Sequence, residues 1–142
     1  MRFMIIVKST PGFEAATTPQ TPDAQLMQDM AEFHEKLAKA GVLLDAGGLQ
    51  PSRKGWRIHY EGQKRTVVDG PFAEAKELIA GFTIIQVRSR EEALEWSRRF
   101  PNPVGRDAPA AIEVRQLYEL DDFGAGPGLD RLTAVPSNKS VR

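Results

Sequence analysis

The chain contains no cysteine. That absence excludes disulfides, thiolate metal sites and a cysteine nucleophile, and it fits a reducing cytoplasm. Histidine is scarce, with His34 and His59 the only two. They are not at helical ligand spacing and no acid-rich cluster accompanies them, so no metal site is expected. Charge of one sign is not in excess either: 19 basic side chains balance 19 acidic ones. No global field therefore draws in nucleic acid or an anionic membrane. Long hydrophobic runs are missing too, since none approaches the ~20 apolar residues of a membrane helix. The apolar run within Met1–Lys8 is too short for a secretory leader and no small-residue cleavage site follows it, so it reads as a buried strand. Nor is there a glycine-rich phosphate loop or a Gly-x-Ser-x-Gly elbow. Gly124-Ala125-Gly126-Pro127-Gly128 lacks the strand-to-helix context that phosphate binding needs.

What remains is an ordinary globular composition, 41% hydrophobic and 27% charged, in a 142-residue chain that fits one domain. Phe3 to Val7 predicts a strand, and a Thr- and Pro-rich loop follows from Ser9 to Pro22. Thr21-Pro22-Asp23 predicts a helix start: a hydroxyl N-cap, proline at the first position and an acid in the first turn. Leu26, Met30, Phe33 and Leu37 form one apolar stripe, which Gly41 is placed to end. Val42-Leu43-Leu44 reads as a short strand broken at Gly47-Gly48. Trp56, Ile58 and Tyr60 alternate with Arg57 and His59, and Glu61-Gly62 turns that strand into Lys64–Asp69 as a hairpin. Leu78 to Val87 is a further strand, with Gly81 a bulge or a point of close approach. Ser89 and Glu92 match a capping box for a helix that Pro101 stops. A last strand alternates from Ile112 to Leu120, and the Gly/Pro-rich segment 124–142 reads as a tail or arm. The order β-α-β-β-β-β-α-β is a split βαβ core with an added hairpin, an α+β fold. Two helices cover one face of such a sheet, so a second subunit is the expected cover for the other.

Residues 69–82 are the most informative stretch. Asp69-Gly70-Pro71-Phe72 follows a β-branched run, and Glu74, Lys76 and Glu77 come directly after it. Proline fixes its own φ and pushes Gly70 toward extended geometry, so the strand must stop there. This stretch resembles the signature of the DGPF branch of the YCII-related family. Ala40-Gly41-Val42-Leu43, the Glu91-Glu92-Ala93 helix and Ile112-Glu113-Val114-Arg115 extend the resemblance over about residues 1–123.

The resemblance implies a ferredoxin-like dimeric α+β barrel, hence a homodimer, with a cleft between sheet and helices. It also implies cofactor-free acid–base chemistry, isomerase- or lyase-like, on a small cyclic or acidic metabolite. The alternative is a non-catalytic module that binds a ligand or a protein partner, associated with sigma-factor regulation. Some YCII relatives carry a His/Asp pair. Counting back from Gly41, that histidine position falls on Met30, and His34 stands one turn later.

The residues themselves leave each candidate with two readings. His34 borders the apolar stripe, where an imidazole either moves a proton, oriented by Asp45 or Asp69, or bonds a sheet carbonyl as a boundary histidine. Asp45 ends an apolar strand, as a base or as a cap of its own turn before Ala46-Gly47-Gly48. Asp69 is an acid of the site or a brace that accepts the Phe72 or Ala73 amide. Glu74 and Glu77 repel each other within a helical turn. One of them therefore needs a partner elsewhere, such as Arg115, Arg57 or the second subunit. Gly70, Pro71, Phe72, Glu74, Lys76, Glu77 and Arg115 are thus expected at a subunit contact first, or at a ligand site second.

Overall fold

Alternation in the first strand decides which way the sheet faces. The computed structural model describes residues 1–16 and 23–136. Strand β1 (Arg2–Lys8) buries Phe3 and Ile5 and leaves Met4 and Ile6 partly exposed. It lies at the centre of a four-stranded antiparallel sheet with β2 (Leu43–Gly48), β5 (Ile79–Gln86) and β6 (Ile112–Gln116), in the order β2-β5-β1-β6. With a helix after β1 and another after β5, this is the ferredoxin-like α+β architecture that the element order predicted.

Helix α2 (Ala24–Lys39) begins at Asp23, whose carboxylate accepts the Leu26 amide at 2.8 Å. Asp23, expected inside the first turn, is the cap itself; Thr21 and Pro22 lie outside the described residues. Gly41, at φ 74°, follows its C-terminus as expected. Helix α3 (Arg90–Arg98) starts on the Ser89 hydroxyl, which accepts the Glu92 amide at 3.1 Å. Glu92 reaches back to the Arg88 amide, one residue before the cap, so the box closes one position early. Phe33 and Leu37 of α2 and Ala93, Trp96 and Phe100 from the α3 region pack on Phe3, Ile5, Ile85 and Val87. Both helices therefore cover one sheet face. Met4 pairs with Ile84 and Ile6 with Phe82, and alternation puts these four on the opposite face.

Strands β3 (Trp56–Glu61) and β4 (Lys64–Asp69) form a separate two-stranded sheet, turned at Gly62 with φ 58°. Every residue in both strands is exposed.

Several expectations about the elements change or are refined. Strand β2 runs through Gly47-Gly48: a Cβ at Gly47 would lie 3.3 Å from the Phe82 ring, so glycine there makes room for a neighbour and does not end the strand. Gly81 combines both expected roles, approaching Gly47 O closely beside a register slip between Val7 and Lys8. The segment expected as loop holds a five-residue helix, α1 (Pro11–Ala15), capped by the Thr10 hydroxyl; one and a half turns leave no periodicity to detect. Strand β6 stops at Gln116, and Tyr118 instead packs on Phe123 with ring centroids 4.8 Å apart. The C-terminal segment carries a short helix, α4 (Pro127–Thr133), that buries no residue.

Candidate functional site

The Asp69–Phe72 turn is held by a relay that starts in α1. The Glu14 carboxylate accepts both the backbone N–H of Ser52, at 2.9 Å, and the Ser52 hydroxyl. Ser52 Oγ in turn accepts the Phe72 amide at 3.0 Å. The Gly70 amide donates to Gly55 O at 3.0 Å, and the Gly70-Pro71 peptide is cis. A Cβ at position 70 would fall 1.9 Å from Ser52 O, so only glycine fits against the 3-10 turn Ser52–Lys54. Arg57 stacks its guanidinium 3.9 Å from the Phe72 ring centroid. The motif thus clamps the base of the hairpin to the segment after β1.

Asp69 is exposed, opposite Trp56 at the end of that ladder. The Phe72 amide it was expected to accept goes to Ser52 instead. Glu74, Lys76 and Glu77 are exposed in and before a 3-10 turn, Ala75–Glu77. Arg115, proposed as their partner, pairs with Glu113 at 3.3 Å. No ion pair to these three forms among the described residues.

A cleft of about 470 Å³ opens between the first turns of α2, helix α1, the ends of β1 and β5, and the 103–104 loop. Phe13, Leu26, Met27, Met30 and Val104 supply an apolar wall, and Lys8, Ser9 and Asp23 are among its polar members. Met30, the position to which the resemblance assigned a histidine, is in this wall. Arg106 braces the loop with two hydrogen bonds to the Asp29 carboxylate, Nε at 3.2 Å and Nη2 at 3.0 Å. Those bonds, and a further one from Gln25, hold the Asp29 carboxyl below the usual carboxylate range and raise Arg106 in turn. A second groove of about 590 Å³ lies between α2 and α3. Four of its charges are paired within it, Asp29 with Arg106 and Glu32 with Lys36, while Arg99 pairs with Glu95 outside the lining.

His34 is not among the residues lining the cleft. Its Nδ1 lies 2.7 Å from Met30 O, and a carbonyl only accepts, so Nδ1 carries a proton. Nε2 lies 2.9 Å from the Thr83 hydroxyl, the second hydrogen bond of the ring. Thr83 is only 2% exposed, so the pair ties α2 to the central strand β5. Asp45 lies in β2 opposite Ile84 and accepts the Ala46 amide at 3.0 Å. The three proposed catalytic residues are not brought together by any hydrogen bond to the imidazole. Sequence reasoning missed Ser9, Glu14, Ser52 and Thr83. Only Thr83, a hydroxyl inside an apolar strand, carried a signal.

The sequence pattern of the YCII-related domain matches residues 1–121. An uncharacterized protein of Rhizobium meliloti (strain 1021) is 33% identical over 95 residues, 67% of this chain and 75% of that protein.

Proposed function

The chain belongs to the YCII-related family, and from that premise we propose that it is a homodimeric small-molecule-binding protein of the DGPF branch, without a proton-transfer role. The observation that carries this reading is Met30 in the cleft wall while both nitrogens of His34 are spent on Met30 O and Thr83. An acid–base reading needs an imidazole facing bound substrate with a carboxylate orienting it. Here the ring braces a helix against a sheet. A thermal-shift screen with a metabolite collection tests the proposal, since a ligand that binds only the folded chain raises its unfolding midpoint. The stabilising compound should lose its effect on Met30→Trp, which fills the cleft, and keep it on His34→Gln. Conversion of that compound by wild type but not by His34→Gln would restore the acid–base reading.

The homodimer rests on the sheet face opposite α2 and α3, where Met4, Ile6 and Phe82 stay partly exposed although Ile84 is buried, and on the hairpin. Trp56, Tyr60 and Val67 of the hairpin are 64%, 66% and 63% exposed on one of its faces. Isolated two-stranded hairpins are marginal in water, and a second copy supplies the missing layer. In the same reading the 124–142 segment is an arm outside the domain, Glu74, Lys76 and Glu77 meet the partner, and the dimer works in the reducing cytoplasm.

A further inference from the structure

We propose, resting on the ligand-binding reading of the cleft, that its occupant is a neutral, largely apolar small molecule with one hydrogen-bonding group, docked on the Ser9 hydroxyl. Ser9 is 6% exposed, lines the cleft, and has a buried Oγ with no hydrogen-bond partner among the described residues. No other buried side-chain oxygen or nitrogen there is so placed. Its amide is anchored on Leu78 O at 2.9 Å, so the residue is held while its hydroxyl is left over. Buried hydroxyls are nearly always partnered, and one lacking a partner in a cleft wall is a point that a ligand can satisfy.

The other polar groups of the wall are already engaged. Thr10 Oγ1 caps the Phe13 amide, Asp23 caps Leu26, and the Lys8 ammonium lies 3.9 Å from Glu113. Among the described residues Lys8 and Asp23 are the only charged ones in the wall, one of each sign, and the Lys8 ammonium already faces Glu113, so a carboxylate gains little net attraction there. Met27 and Met30 present unbranched, adaptable apolar surface. A volume of 470 Å³ lies within the roughly 300–1,000 Å³ range of small-molecule pockets. Size and lining together select a compact neutral compound over the acidic metabolite that family resemblance suggested.

Amide-resolved NMR titration with cyclohexylmethanol and cyclohexanecarboxylate, a neutral and an anionic probe of matched bulk, tests the proposal. The alcohol should shift the amides of Ser9, Met30 and Gly81 and bind about tenfold tighter than the carboxylate. Ser9→Ala should weaken the alcohol roughly fivefold, the loss of one hydrogen bond. Without ligand it should unfold at the same or a higher urea concentration, because no hydrogen bond among the described residues depends on that hydroxyl. A carboxylate that binds as tightly as the alcohol overturns the neutral class and leaves the cleft as a ligand site. Equal alcohol affinity in Ser9→Ala, or a less stable free variant, overturns the docking point. If neither probe moves the Met30 and Gly81 amides, the cleft reading falls with it.

Discussion

Single side chains in this protein earn their positions by bracing. His34 spans α2 and β5 through Met30 O and Thr83, and both partners would be orphaned differently by its loss. His34→Leu leaves the Thr83 hydroxyl, 2% exposed, without its imidazole partner, which should cost about 1–3 kcal/mol. Urea unfolding followed by Trp96 fluorescence measures it, and an unchanged midpoint would contradict the bracing role. The ion pairs at the edges respond to acid. Arg106 holds Asp29, and Arg2 holds Glu119, each below its ordinary titration range. A carboxyl depressed in the folded state contributes stability above its unfolded pKa and loses it as pH falls through the folded one. Arg106→Ala should therefore raise the Asp29 titration midpoint in carboxyl-detected NMR, leaving that of Glu119 in place. An Asp29 midpoint indifferent to the substitution would show that the pair does not form in solution.

Among the elements, the hairpin is the one that cannot stand by its own packing. Its strands are exposed throughout, and what fixes it is the Glu14–Ser52–Phe72 relay and the contact of Gly70 with Ser52 O. Gly70→Ala drives a methyl into a backbone carbonyl and should cost about 1–3 kcal/mol, as overpacking does. Hydrogen exchange should quicken in 56–69 while β1 and β5 keep their protection, because the helix-covered core does not touch that turn. Equal protection of the hairpin in variant and wild type would refute the clamp. The core behaves oppositely. Leu37, fully buried in α2, should lose about 2–5 kcal/mol on Leu37→Ala, with the whole sheet unfolding together.

At the scale of the molecule, Met4, Ile6 and Phe82 on one sheet face and the whole hairpin stay exposed or partly exposed among the described residues. Association of two copies should hide Trp56, Tyr60 and Val67, so light scattering at micromolar concentration should return twice the chain mass. Trp56→Glu with Tyr60→Glu should halve it, since two buried charges without partners oppose association. A wild-type monomer would remove the dimer and, with it, the partner proposed for Glu74, Lys76 and Glu77. The cleft lined by Met30 and Ser9 lies on the helix side of the sheet, at the ends of β1 and β5. Its affinity for the alcohol probe should therefore survive in the monomeric variant.

Periodicity alone determined most of the scaffold. The alternation in Phe3–Val7 and Trp56–Tyr60, the apolar stripe from Leu26 to Leu37 and the caps at Ser89 and Gly41 are local properties, and neighbours along the chain suffice to express them. Asp69-Gly70-Pro71-Phe72 likewise announced a rigid turn. Its reason was not legible there, because the carbonyl that excludes a side chain at Gly70 belongs to Ser52 and the acceptor for the Phe72 amide is the same residue, 20 positions away. Gly47 of β2 read as a breaker for a similar reason: the Phe82 ring that needs its space comes from another strand. Tertiary structure alone turned His34 onto Thr83, 49 residues distant, and left Ser9 with a buried hydroxyl beside an apolar cleft. Local order is written in spacing, whereas a site is made by residues that only folding brings within hydrogen-bond reach.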